Sequence, residues 1–391
     1  MEINSKRTQQ QVRNFERTLQ EYQFKEPFSR FLTQFYKNNK QMGSSDRRMN
    51  SRFCYNYFRL GKAFINLTVV ERLTIAEYLC EENSGVVSIF KNEWVNTNHS
   101  PINEKIENVR QEYGDFLEEV FPFPFDLSAS IDKNHFIISH FIQPNLYIRI
   151  KKGMEDKVKK ILLKNEVPFE ELSSQALSLP NGTKLQQIKS IDGDYEVQDW
   201  SSQQCLSGIE IKPRSSWWDC CAASGGKSLL LLDKEPNIKL LVSDVRLSIL
   251  RNLDERFEKA GVKTYYRKKI LDLSNSVQHI MAEEKFDGIL LDAPCSGSGT
   301  WGRTPEMISK FKSEEILKYS SLQKNIAKNV IPYLKPGKTL VYITCSVFAA
   351  ENEEIASYIS NELGLELVSQ HSIIGYDKKA DSMFVAEFIK I

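Results

Sequence analysis

The stretch Ser215–Leu232 reads SSWWDCCAASGGKSLLLL. An apolar run, Trp217–Cys221, stops at a loop of small residues, Ala222–Gly226, and a helix-like run, Lys227–Leu232, follows at once. Strand, tight glycine turn, helix is the opening unit of a doubly wound α/β nucleotide-binding domain. Glycines in such a turn let backbone N–H groups approach a ligand closely, and the helix N-terminus favours an anionic group there. Asp244 closes a second apolar run, Lys239–Ser243. It falls about 20 residues on, where an acid in such folds takes a ribose diol.

Several readings of the loop compete. A phosphate-binding P-loop needs G-x-x-x-x-G-K-[ST]. Gly226, Lys227 and Ser228 fit it, but Cys221 stands where the first glycine would fall. The dinucleotide spacing G-x-G-x-x-G is absent. A glycine loop with a downstream acid suits an adenosine ligand without a triphosphate, such as S-adenosylmethionine. An ordinary strand–helix turn with no ligand is the plain alternative.

Outward from this stretch, 391 residues make two or three domains the expectation. The net charge of +1 gives no global attraction to nucleic acid. The distribution is less even: residues 1–62 carry thirteen Lys/Arg against five Asp/Glu, and residues 63–128 carry four against twelve. Blocks of one sign are either solvated faces or contact surfaces. The seven cysteines (Cys54, Cys80, Cys205, Cys220, Cys221, Cys295 and Cys345) are odd in number and contain no C-x-x-C pair. That argues against a disulfide scaffold and against a structural zinc site, and it favours free thiols in a reducing compartment. The N-terminus is charged and Gln-rich with no apolar signal core, and no apolar run reaches spanning length. A soluble cytoplasmic protein with no membrane partner and no metal is expected.

Residues 1–124 read as an all-helical region. Phe28, Phe31, Leu32 and Phe35 recur at helical steps, a second pattern starts at Phe53 with Ser44, Ser45 and Asp46 as candidate N-caps, and helices fit Thr68–Cys80 and Asn103–Val120. Phe121-Pro122-Phe123-Pro124 is a natural boundary. Residues 125–195 read as a small α+β module. Leu146–Ile150 alternates like a strand, Lys151–Glu166 is helical, and short strands fit Ala176–Leu179 and Leu185–Ile188. Lys151, Lys152, Lys157, Lys159, Lys160 and Lys164 could contact phosphates or form a solvent face. His135 and His140 have no acid at ligand spacing and are taken as structural. Residues 196–391 alternate strand and helix patterns: strands at Trp217–Cys221, Leu240–Ser243, Phe286–Leu291, Thr339–Ile343 and Phe384–Ile389, helices at Lys227–Asp233, Ser248–Lys259, Glu314–Tyr333 and Glu353–Glu362. Such alternation implies a parallel sheet with right-handed crossovers.

Two stretches carry reactive side chains just past apolar runs. Asp292-Ala293-Pro294-Cys295-Ser296-Gly297 follows Gly288–Leu291, and Thr344-Cys345-Ser346 follows Leu340–Ile343. Ligands of open parallel sheets bind beyond the carboxyl ends of the strands. An acid, two thiols and the glycine loop are therefore expected along one sheet edge.

These motifs resemble those of the Nop/Sun family of RNA cytosine-5 methyltransferases, which includes bacterial ribosomal RNA enzymes. The family's Cys-Ala-Ala-Pro-Gly-Gly-Lys is similar to Cys221–Lys227, its Asp-Ala-Pro-Cys-Ser-Gly is matched at 292–297, and its Thr-Cys-Ser at 344–346, followed by Glu351-Asn352. Gln198–Gln203 and Lys335-Pro336-Gly337 are also family-like, and Gly43–Arg48 resembles the NusB-like helical domain of some bacterial members. Two departures stand out: Ser224 replaces the family's Pro, and Ala349-Ala350 stand where Pro-Glu is often found. Neither is a reacting group, so tuning is expected from them.

The resemblance implies a Rossmann-like methyltransferase domain at 196–391, an RNA-binding module at 125–195 and a helical domain at 1–124. It implies methyl transfer from S-adenosylmethionine to C5 of a cytosine, in ribosomal RNA first and transfer RNA second, by a monomer. The thiolate that adds to C6 would be Cys345; Cys295 would help remove the C5 proton or release product; Asp292 would hold the base edge near N3 and N4, protonated or sharing a proton. Lys227 would line the pocket. The donor would lie on Cys221, Ala222, Ala223, Ser224, Gly225, Gly226 and Lys227, with Asp292 beside it, Asp244 on its ribose and Asp272 on the adenine side. Arg303 would be a phosphate contact or a surface salt bridge. Three rival functions remain at this stage: a non-catalytic RNA-binding assembly factor, a P-loop nucleotidase, and a DNA methyltransferase in which Cys295 attacks.

Overall fold

The computed structural model describes residues 5–391, which divide into two compact units. The first comprises residues 5–124, 132–143 and 301–312; the second comprises 125–131, 144–300 and 313–391. Among the described residues, no helix is long and apolar enough to cross a membrane.

The first unit is helical. Helices Ser5–Glu21, Phe28–Asn38, Ser44–Arg59 and Val69–Cys80 enclose an aromatic core in which Phe15, Phe28, Phe53 and Phe58 are buried. Thr68 and Glu71 cap the fourth helix reciprocally, each side chain bonding the other's backbone N–H. The third helix begins at Ser44, but its cap is Gly43 with no side-chain bond, not one of the three expected polar residues. The expected helix 103–120 is two helices, Ile102–Tyr113 and Leu117–Val120, broken at Gly114 with φ 83°. Part of the basic block is used internally. The buried Arg59 donates to the carbonyl of His140 (2.7 Å) and to Gln143 Oε1 (3.0 Å), and Arg52 pairs with the buried Glu77 (2.5 Å). His140 itself is buried, pushed down to about 4 by desolvation, with Nδ1 against Phe136 O. Residues 301–312, read from the sequence as part of the C-terminal domain, group with the helices instead: Trp301 packs on Phe121, Phe123 and Phe311.

The second unit holds two sheets. β1 (Leu146–Ile150), β2 (Glu170–Glu171), β3 (Ala176–Leu179) and β4 (Tyr195–Val197) form an antiparallel sheet in the order β2-β3-β1-β4, packed on the helix Glu155–Lys164. The strand expected at 185–188 is a 3₁₀ turn, and β4 takes its place beside β1. The larger sheet contains β5 (Ser216–Asp219), β6 (Lys239–Asp244), β7 (Tyr266–Ile270), β8 (Phe286–Asp292), β9 (Leu334–Thr344), β10 (Leu365–Ile373) and β11 (Met383–Lys390). Its order is β10-β11-β9-β8-β5-β6-β7, with β5 to β9 parallel. β10 and β11 are antiparallel additions at the β9 side, so the sheet is mixed where the alternation implied a parallel one.

Both faces of the central strands are buried, which is why they read as unbroken apolar runs. Trp218, Leu241, Ile289 and Leu291 point to one core; Trp217, Leu240, Val242 and Leu290 point to the other. Close packing fixes Gly288 opposite Trp217: a Cβ there would lie 2.4 Å from the indole ring. The strand order reverses at β5, between β6 and β8, and that reversal opens a crevice at the carboxyl edge.

Candidate active site

The loop after β5 is shaped by two positive φ angles, Ala223 at 46° and Gly225 at 81°. Gly225 caps the helix Gly226–Lys234 in the left-handed region. A Cβ on it would lie 2.7 Å from the Phe257 ring and 2.9 Å from Leu253, so only glycine lets the turn seat against the next helix. The Ala222 N–H bonds Ser243 O (2.9 Å) at the end of β6, which ties the loop to the strand carrying Asp244.

One cavity of about 510 Å³ opens at this edge. Its walls include Cys221 and Ala223 of the loop, Asp244 at the end of β6, Asp272 after β7, Asp292 at the end of β8, Cys295 after it, and Cys345 after β9. Leu271, Leu273 and Ile326 supply apolar wall. Lys227 reaches the same place, with Nζ 3.0 Å from Asp292 Oδ2. Burial works against its charge, but the Asp292 carboxylate outweighs this and holds the lysine above its ordinary range. The remaining loop residues expected on the donor are not in the wall. Ala222 is buried, Ser224 Oγ accepts from Arg256 Nη1 (3.2 Å), Gly225 packs on Phe257, and Gly226 lies beside Arg256.

The two thiols meet: Cys295 Sγ and Cys345 Sγ are 3.3 Å apart. The contact with Cys345, together with burial, raises Cys295 well above the ordinary thiol range. Cys295 therefore keeps its proton, with the Cys345 sulfur within reach as acceptor.

Between the two thiol loops lies Glu351, which is wholly buried. It accepts bonds from Ser296 N (2.8 Å), Ser296 Oγ (2.5 Å), Ser346 Oγ (2.5 Å) and Gln323 Nε2 (3.1 Å). One carboxylate thus ties the loop carrying Cys295 to the loop carrying Cys345. Burial raises its pKa, and the serine bonds pull the other way. Asn352 adds to the clamp by bonding Thr344 Oγ1 (2.5 Å) and Ser346 O (3.0 Å). In the sequence Glu351-Asn352 marks a motif, and nothing in its position reveals this span.

Two further groups were not read from the sequence. Arg246 grips Asp244, with Nε 3.1 Å from Oδ1 and Nη2 3.3 Å from Oδ2. Asp219, buried at the end of β5, accepts from Ser228 Oγ (2.5 Å) while its Oδ1 has no partner; burial pushes it up to about 7. Asp272, by contrast, is exposed and lowered by bonds from Ser274 and Asn275. These pairings bear on the P-loop reading. Lys227 is committed to Asp292 and Ser228 to Asp219, so neither is placed for a triphosphate and its metal.

The sheet order and the loop at its reversal point define a Rossmann-like methyltransferase fold. Residues 208–388 match the family model described as 16S rRNA methyltransferase RsmB/F, which bears out the resemblance read from the motifs. The chain is 34% identical over 183 residues to "Ribosomal RNA small subunit methyltransferase B" of Xylella fastidiosa, covering 46% of this chain and 42% of that protein. It is 27% identical over 262 residues to the protein of the same name from Klebsiella pneumoniae, covering 63% and 60%. The chain thus spans less than two thirds of the length of these relatives. Among solved structures, "PH0851" superposes with a TM-score of 0.73 at 19% identity over 100% of both chains. "NSun6 from Pyrococcus horikoshii with SFG" superposes with a TM-score of 0.59 at 16% identity, over 73% of this chain and 97% of that one. At these identities the superpositions speak for the fold.

Proposed function

We propose that the chain is an S-adenosylmethionine-dependent RNA methyltransferase that modifies C5 of a cytosine, in ribosomal RNA, through a covalent Cys345–C6 adduct. The observation that carries the reading is the 3.3 Å approach of the two thiols on the wall of a cavity shared with Asp292 and the glycine loop. The names of the curated relatives, rRNA methyltransferases, support the substrate class, and a structural relative solved with SFG, an analogue of S-adenosylmethionine, supports the donor.

The cavity's donor set fits that ligand. A buried carboxylate at Asp244 suits a ribose diol, and Leu271, Leu273 and Ile326 suit a purine ring. When bound, the donor supplies an electrophilic methyl group. The chain's own residues do the rest. Cys345 acts as thiolate: a bond forms between Sγ and C6, and the C5–C6 electron pair makes C5 nucleophilic. Asp292 holds the N3/N4 edge and relays a proton from Lys227, 3.0 Å away, to N3, which neutralises the negative charge that addition at C6 pushes there. Once C5 carries the methyl group, its proton leaves to a water molecule. The C6–S bond then breaks and the C5–C6 double bond returns. Cys295 enters this sequence as the protonated partner of Cys345. The target base has to leave its stack to reach the cavity. The exposed Lys152, Lys160 and Lys164 of the small α+β module are assigned to RNA phosphates.

Two variants test the assignment. Cys345→Ala abolishes both methyl transfer from radiolabelled donor and any RNA adduct on denaturing gels. Cys295→Ala leaves RNA covalently attached. The opposite pattern makes Cys295 the nucleophile; RNA binding with no methyl transfer by the unaltered protein makes it an assembly factor.

A further inference from the structure

A second cleft, of about 1020 Å³, lies at the amino ends of the strands, the edge opposite the catalytic cavity. Its cations are Arg214 before β5, Lys239 at the start of β6, Lys263 before β7, Arg267 in β7, and Lys285 before β8. No acidic residue lines it. Arg267 is paired with Glu284 and Lys285 with the carbonyl of Pro332. Among the described residues, Arg214, Lys239 and Lys263 have no ion-pair partner. Tyr265 stands among them with 80% of its surface exposed.

We infer that this cleft anchors a single-stranded segment of the substrate RNA, its phosphates on Arg214, Lys239 and Lys263 and a base on Tyr265. The inference rests on the RNA reading above. Its chemistry is that of backbone-tracking sites: unpaired cations in a groove with an aromatic face for a base. The shape favours a strand over a small anion. The cations are spread across β8, β5, β6 and β7, a row about 14 Å long at ordinary strand spacing. Lys239 and Asp244 are the two ends of β6, about 16 Å apart at the usual rise. An RNA held in both places wraps the sheet from one edge to the other.

The test is fluorescence anisotropy of a fluorescein-labelled oligouridylate with the full chain, as a function of salt, beside methylation kinetics on the substrate RNA. Lys239→Gln with Lys263→Gln weakens binding about tenfold at physiological salt, and flattens the salt slope by about 0.7 for each phosphate contact removed. Tyr265→Ala weakens it at least about fivefold, and Tyr265→Phe restores it. In methylation KM rises and kcat holds. Unchanged affinity and slope in the double variant overturn the inference. So does displacement of the oligouridylate by inorganic tripolyphosphate or polyglutamate at equal charge, which makes the cleft a general polyanion site. If the unaltered protein methylates no RNA, the functional reading falls, and the binding experiment still decides for or against the cleft.

Discussion

Removing the Glu351 carboxylate separates the two thiol loops without touching either thiol. In Glu351→Ala, four donors lose their acceptor. Three can recover. Ser296 can turn to Ser346 Oγ (3.2 Å), Ser346 to Ser298 Oγ (3.2 Å), and Gln323 keeps the carbonyl of Pro294 (3.0 Å). The Ser296 N–H is left buried and unpaired. That orphan and the emptied volume together cost about 3 kcal/mol of stability. A displacement of the Cys295 and Cys345 loops by about 1 Å lowers the rate of the chemical step about 100-fold. Glu351→Gln keeps the volume and one acceptor oxygen, so it loses about 1 kcal/mol and less than about tenfold in rate. Urea unfolding measures the first quantity and single-turnover methyl transfer the second. Calorimetry with S-adenosylhomocysteine checks that the donor cavity is intact. If Glu351→Ala transfers methyl groups at the unaltered rate while losing the expected stability, the clamp holds the fold and has no part in aligning the sulfurs.

Asp219 makes stability depend on pH. Its folded pKa is raised, so its contribution is fully present below the ordinary 3.8 and is lost as pH rises through about 7. Relative to Asp219→Asn, the unaltered protein is expected to lose about 4 kcal/mol over that window in urea titrations, and parallel pH curves would sink the idea. Arg246→Ala frees the Asp244 carboxylate, and binding of S-adenosylhomocysteine is expected to tighten about twofold to fivefold, the worth of a largely exposed pair. Weaker binding would mean that Arg246 itself holds the donor.

The central strands were legible because burial on both faces leaves apolar runs bounded by glycine loops. β7 and β10 were not. They are the sheet's two edges, and sequences such as Tyr266-Arg267-Lys268-Lys269-Ile270 keep polar residues where no second layer covers them. The site's acids and thiols were legible for a related reason: each stands one to four residues past an apolar run, where the chain leaves the sheet. Partnerships formed in three dimensions left no such trace. The Glu351 clamp joins residues 55 apart in the chain, and nothing local announces it. The Arg246–Asp244 grip is local, yet an arginine two residues past an acid reads as any surface residue. Asp219 reads as the polar end of a strand, and only the full packing around it makes it a buried acid with one idle oxygen.

Trp301 and Phe311 follow the Cys295 loop directly in sequence, yet they pack with Phe121 and Phe123 of the helical unit. Cutting the chain at residue 124 would strip that indole of two of its three phenyl neighbours and leave a sticky apolar flap a few residues downstream of a reactive sulfur. The polypeptide passes through the helical unit between one thiol and the other, so residues 301–312 depend on Phe121 and Phe123 for their apolar cover.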